Sequence, residues 1–216
     1  MAQAREAGAV ALSLGVVPDD RKKMARKVQE GLAGDALVLS GGVSAGAYDL
    51  VEDVLEDFGV EILFDKVAIK PGAPLVFGRL KRGLSAPGRP PRREATLVFG
   101  LPGNPVSAQV TFDLFVRAAL LRMQGTLTVQ RPTLEVELAG RARNRSGRRA
   151  YLPARLRFAE GRYLAELLPS RGSADLVVHA QANALVLMEA DRTEAAPGEK
   201  APALLLGRFP EDDGGH

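Results

Sequence analysis

The run Ser40 to Asp49, SGGVSAGAYD, sets three glycines, two serines and a closing aspartate between an apolar stretch, Ala36 to Leu39, and a helical pattern that starts at Leu50. Glycine lets successive backbone N–H groups turn inward at φ values other residues avoid, and a helix N-terminus adds unpaired donors and partial positive charge. Gly41, Gly42, Ser44 and Gly46 are therefore candidate contacts for a phosphate or another oxyanion. The run lacks the Gly-Lys-Ser/Thr ending of a P-loop, and its glycines are not at dinucleotide-binding spacing. A plain glycine-rich turn from strand to helix has the same composition.

Asp49 supports two readings. Asp49-Leu50-Val51-Glu52 has the form of a capping box, which needs no function. A carboxylate beside an oxyanion pocket repels the ligand unless a divalent cation lies between them, so Asp49 is also the candidate metal ligand. Downstream, Val60 to Lys70 alternates, and Lys66 and Lys70 share its parity. On a continuous strand they would lie about 13 Å apart on one face, able to hold two ends of an extended anion or simply to face water. Pro102, Gly103 and Asn104 open the next helix, with Asn104 the natural N-cap and Pro105 the natural first residue. Ser173 reads as another N-cap. The chain has no cysteine, and its two histidines, His179 and His216, do not make an acid–base pair. Such a site works by binding anions rather than through a protein nucleophile.

The elements that must carry these residues alternate. A helix ending at Gly8 is followed by an expected strand from Ala9 to Val17. A helix capped by Asp19 and Asp20 places Met24, Val28 and Leu32 on one face, and Gly34 closes it. Leu50, Val51, Val54, Leu55 and Phe58 line the helix after the glycine run, and Gly59 ends it. Leu75 to Phe77 and Thr96 to Phe99 read as paired strands around a polar insertion, Arg79 to Glu94. The helix after Asn104 carries the stripe Val106, Val110, Leu114, Ala118 and Leu121. This order predicts an α/β domain, doubly wound around a mostly parallel sheet, which binds ligands at the carboxyl ends of its strands.

Beyond Gly125 the texture changes to short alternating segments at Leu134 to Leu138, Tyr151 to Phe158, Tyr163 to Leu168, Ala184 to Met188 and Ala203 to Leu206. They predict a second, small β domain, so the expected division is 1–126 and 127–216. With 216 residues and 46% hydrophobic content, the chain can fill both cores. No run reaches membrane-spanning length, and the N-terminus lacks the apolar core of a signal peptide, so the expected location is the cytoplasm. The net charge of +3 is concentrated at Arg79 to Arg93 and Arg141 to Arg149, without interleaved aromatics in the first cluster, which speaks against nucleic-acid binding. Asn144-Arg145-Ser146 is formally a glycosylation sequon.

SGGVSAGAYD, KVAIKPGAPLVFG and VFGLPGNPVSA, in that order and spacing, resemble the third domain of the molybdopterin molybdenumtransferases, the MoeA and gephyrin E-domain family. RRAYLPARL, PSRGSADLVVHAQANALVLM and PGEKAPALLL resemble that family's small C-terminal β-barrel domain. The resemblance spans nearly the whole chain. It implies a MogA/MoaB-like domain lacking its first strand, the one that carries a Gly-Asp-Glu motif, and a truncated or split form without the family's N-terminal domains. It further implies insertion of molybdate into adenylylated molybdopterin, with release of AMP, Mg2+ as the cation, and a homodimer or a complementing N-terminal chain as partner. Asp49, Lys66 and Lys70 then fall on the family's functional aspartate and lysine pair, and Ser173 on a serine of its C-terminal domain. Ala73 stands where the family usually has lysine. Two other readings stay open: a molybdopterin adenylyltransferase-like enzyme, and a non-catalytic module that binds the pterin nucleotide.

Overall fold

The computed structural model describes residues 1–41, 48–81, 94–169 and 175–207, with the backbone alone at 48 and 49. The chain divides into two compact units, one of Met1–Val67 with Pro74–Leu127 and one of Ala68–Ala73 with Thr128–His216.

In the first unit, α1 (Ala2–Glu6) stops as expected, with Gly8 at φ 78° turning the chain. The expected strand from Ala9 to Val17 does not form. Alternation supplies only a preference for extended backbone, Gly15 turns the run at φ 81°, and no strand among the described residues completes a ladder with it. α2 (Arg21–Gly31) begins where Asp20 accepts a hydrogen bond from the Lys23 backbone N–H at 2.9 Å. β1 (Ala36–Ser40), α3 (Tyr48–Asp57) and β2 (Glu61–Lys66) follow. After β3 (Ile69–Lys70), which belongs to the second unit, come β4 (Pro74–Lys81) and β5 (Ala95–Leu101).

The sheet runs β1-β5-β4-β2. Its α/β class is the one expected, but its strands are mixed rather than mostly parallel: β1 and β5 are parallel, while β5–β4 and β4–β2 are antiparallel. β2, β4 and β5 follow one another with no described helix between them, and strands joined without a crossover run in opposite directions. Both faces are covered. Val28 of α2 and Val51, Val54 and Leu55 of α3 pack with Leu37 and Val98. Phe112 and Val116 pack on the other face with Leu75, Phe99 and Leu101. Val98 and Phe99, adjacent on β5, thus feed opposite cores.

The helix after Asn104 departs from its expected stripe. It consists of α4 (Pro105–Thr111), a π-helical turn over Phe112–Val116, and α5 (Arg117–Met123). The wider turn rotates the buried face, so Phe112, Val116, Ala119 and Leu120 meet the sheet in place of Leu114, Ala118 and Leu121.

The second unit holds β6 (Thr133–Leu138), β7 (Ala142–Arg143), β8 (Arg149–Ala159), β9 (Arg162–Leu167), α6 (Leu176–Gln181), β10 (Ala184–Met188), β11 (Glu194–Ala195) and β12 (Lys200–Leu205). Strands β10, β12, β6, β9 and β8 pair in that order, and β8 pairs with β10 again, closing a small barrel. Its core is small and apolar, with Val136, Ala154, Leu156, Ala165, Val186 and Leu205 fully or nearly fully buried. β8 is long enough to carry β9 along Ala154–Ala159 and the parallel β3 at Arg149–Ala150.

That pairing overturns the expected continuous strand from Val60 to Lys70. β2 ends at Lys66, after register irregularities between Ile62 and Phe64 and between Phe64 and Lys66. The chain then leaves the first sheet, and the Arg149 N–H donates to the Ala68 carbonyl at 3.1 Å. Arg79 and Lys81, expected in an insertion, are in β4 and face Glu61 at 2.9 and 3.7 Å. The remaining basic residues, 82–93, lie outside the described residues.

The sequon asparagine is structural. Asn144 is 2% exposed. Its Nδ2 donates to the carbonyls of Arg148 and Glu189 at 2.8 and 3.0 Å. Its Oδ1 accepts from the Ser146 N–H and hydroxyl at 3.1 and 2.6 Å. His179 is in the core of its unit at 5% exposure, with its pKa lowered by burial against a smaller opposing effect of Asp175.

Candidate functional site

The sheet directions decide which candidates share an edge. β1 and β5 are parallel, and β2, antiparallel to β4, runs the same way as β5. Their carboxyl ends therefore bring Ser40–Gly41, Lys66 and Leu101–Asn104 to one edge of the first unit. Gly41 has φ 88°, and a Cβ there would meet nothing within 4 Å. Glycine is needed here for its backbone geometry, not for lack of room.

α3 starts at Tyr48, so Asp49 is the second residue of the helix rather than its cap. A carboxylate in a first turn still gains from the partial positive charge of the helix end. Gly42, Ser44 and Gly46, and Ser173 of the second unit, lie outside the described residues, as do His216 and the side chain of Asp49.

Lys66 extends into solvent, with its side chain 81% exposed and its Nζ 3.5 Å from Asp65 Oδ2. Lys70 is exposed on β3 of the second unit. The two lysines are therefore on strands of different sheets. Asp65 is the neighbour that alternation hid, since it has the opposite parity to Lys66 yet its carboxylate lies near the ammonium.

Pro102 is buried and Gly103 exposed, and Asn104 is the N-cap of α4 with φ −71° and ψ 123°. Its side chain makes no capping hydrogen bond. Asn104 Oδ1 is buried and has no hydrogen-bond partner among the described residues. A buried amide oxygen left unmet costs about 1 to 3 kcal/mol, and such an atom in a folded protein calls for a reason. Among the described residues there is no group of three or more His, Cys, Asp or Glu side chains able to hold a metal ion.

Gly41 after β1, a lysine at the end of β2 and an asparagine after β5 thus share one edge of an α/β unit, in a chain whose second unit is a small barrel. Residues 1–122 match the family described as probable molybdopterin binding domain, and residues 135–206 match the MoeA C-terminal region, domain IV. The chain belongs to the MoeA, or molybdopterin molybdenumtransferase, family and corresponds to its C-terminal region.

It is 32% identical over 206 residues to a gephyrin of Dictyostelium discoideum, covering 90% of this chain and 29% of that protein. It is 32% identical to molybdopterin molybdenumtransferase 2 of Mycobacterium tuberculosis, covering 91% of this chain and 46% of that one. Among solved structures, a molybdopterin biosynthesis MoeA protein from Pyrococcus horikosii superposes with a TM-score of 0.72 at 26% identity, over 96% of this chain and 46% of that one. The α/β fold with its barrel-like second unit is thus the MoeA fold. The chain spans less than half the length of these relatives. Among the described residues no helix is long and apolar enough to cross a membrane.

Proposed function

We propose that the chain acts in molybdenum cofactor biosynthesis by binding adenylylated molybdopterin and molybdate at the carboxyl edge of its first sheet, for molybdate insertion with release of AMP. The observation that carries this reading is the buried, partnerless Asn104 Oδ1 on the same edge as Gly41 and Lys66. A pterin-nucleotide donor would meet that oxygen, while backbone N–H groups after Gly41 take an oxyanion. Lys66 would offset the charge of phosphate and molybdate at this edge, Asp49 would orient what lies at the start of α3, and Lys70 and Ser173 are proposed ligand contacts of the second unit.

The described residues offer no complete ligand set for Mg2+, so a cation would have to draw on Asp49 and on the substrate's own phosphates. No step is assigned to it. A homodimer or a complementing N-terminal chain is the partner this reading expects.

A second reading is a module that binds the pterin nucleotide without turnover. Isothermal calorimetry with AMP and with molybdopterin, beside a molybdate-insertion assay, separates the two. Binding with turnover that Asp49→Ala abolishes supports the enzyme. Binding without turnover supports the module, and no binding of either ligand removes both.

A further inference from the structure

On α2 the positive charge is gathered on one side. Met24, Ala25 and Val28 pack into the core, while Lys23, Arg26 and Lys27, spaced i, i+3 and i+4, share the opposite face. Arg21 is held by Asp53 and Asp57 of α3 at 3.4 and 2.6 Å, and Lys27 by Glu30 at 2.8 Å. Among the described residues Lys23 and Arg26 carry no ion pair. The neighbouring carboxylate of Asp20 is taken up with the Lys23 backbone N–H at 2.9 Å. Like charges three and four residues apart repel along a helix, so this face gains from an anion that settles on it.

The same three side chains line a cavity of about 250 Å3 whose other wall is Val16, Val17 and Pro18. Local geometry holds that wall in place. Gly15 turns the chain at φ 81°, and the Asp20 N–H donates to the Pro18 carbonyl at 2.7 Å, which joins the wall to the first turn of α2. The cavity is smaller than the roughly 300 to 1,000 Å3 typical of sites for drug-sized ligands, so it suits a molecule of one ring or a short chain. An apolar wall beside two cations that lack ion pairs among the described residues selects a ligand anionic at one end and apolar at the other.

We propose that this cavity binds a small phosphate monoester, with its phosphate between Lys23 and Arg26 and its apolar body against Val17 and Pro18. A phosphate monoester carries about two charges at neutral pH and offers acceptor oxygens to an ammonium and a guanidinium at once, whereas a carboxylate carries a single charge. Inorganic phosphate would meet the cations but leave the apolar wall in water. A polynucleotide would find no aromatic ring in the lining to stack on. Gly41, Lys66 and Asn104 are not among the lining residues, so the proposal does not depend on the pterin site, and its test uses no pterin.

The probe is phenyl phosphate, titrated into the full chain by isothermal calorimetry, with inorganic phosphate and benzyl alcohol as controls. The expected result is saturable binding that weakens as salt rises. Both controls should bind at least about tenfold more weakly, and Lys23→Gln and Arg26→Gln should each weaken phenyl phosphate by about tenfold, which is about 1.4 kcal/mol. Arg26→Lys should keep most of the affinity. Lys22→Gln removes the same charge from α2 outside the lining and should change binding by less than about twofold. All three side chains are exposed, and circular dichroism melting confirms that the variants fold. No saturable binding, a control that binds as tightly, or Lys23→Gln and Arg26→Gln that bind like the parent would overturn the proposal. So would an equal loss in Lys22→Gln, because the ligand would then answer to the charge of the helix rather than to the cavity.

Discussion

Lys66 and Lys70 are four residues apart and belong to different sheets: Lys66 stands opposite Pro74 at the end of the β2–β4 pair, and Lys70 opposite Ala150 in the barrel. Each backbone is held independently, so neither lysine depends on the other for its place. Lys66 shows most of its side chain to water, and Lys70 is exposed too. Lys66→Ala and Lys70→Ala should each leave stability within about 0.5 kcal/mol, as for surface positions generally, while weakening binding of the anionic ligand. Urea unfolding paired with calorimetry of AMP and molybdate checks this. Loss of stability with binding unchanged would make them structural residues.

Asn104 should show the opposite sign for folding and function. Its side chain caps nothing, and its buried Oδ1 is unpaired, so Asn104→Ala removes an unmet acceptor. Folding should become no worse, or up to about 1 kcal/mol better, while affinity for the pterin nucleotide falls. A melting midpoint that drops with affinity intact would show that the asparagine serves the helix after all.

Asn144→Ala should be costly. The substitution takes one donor each from the carbonyls of Arg148 and Glu189, leaving them the Ser146 hydroxyl and the Arg192 N–H, and frees the Ser146 turn, all at a 2% exposed position. A loss of about 2 to 3 kcal/mol in urea unfolding is expected, with Ser146→Ala losing about 1 kcal/mol. A neutral Asn144→Ala would mean that water replaces the network.

His179 predicts a pH dependence. Burial lowers its pKa in the fold below the ordinary value of 6.5, so the unfolded chain binds the proton more readily. The stability it contributes is fully present above about pH 6.5 and is lost as pH falls from there toward the lowered folded value. Unfolding free energies from about pH 7.5 down to about pH 5 should fall for the parent and flatten for His179→Leu over that window. Parallel profiles for the two proteins would dismiss the histidine as the cause.

The sequence by itself determined the elements whose signals are local. Asp20 caps α2 because a short carboxylate can reach the Lys23 N–H. Gly8 and Gly59 end their helices at positive φ. Ala184–Met188 and the β4–β5 pair follow from alternation and turn chemistry. The motif order also identified the family that the chain matches.

What only the tertiary structure decided depends on a partner distant in the chain. Ala9–Val17 alternates as a strand should and is none, because backbone donors and acceptors need a second strand to meet them. Val60–Lys70 splits because β8 offers a free edge at Arg149–Ala150. The π-helical turn at Phe112 moves the buried stripe of the following helix, and the bare Oδ1 of Asn104 emerges only once the surrounding chain has closed over it. Propensity and capping act over a few residues and can be read in order, whereas pairing, register and burial are set by whichever surface arrives from elsewhere in the fold.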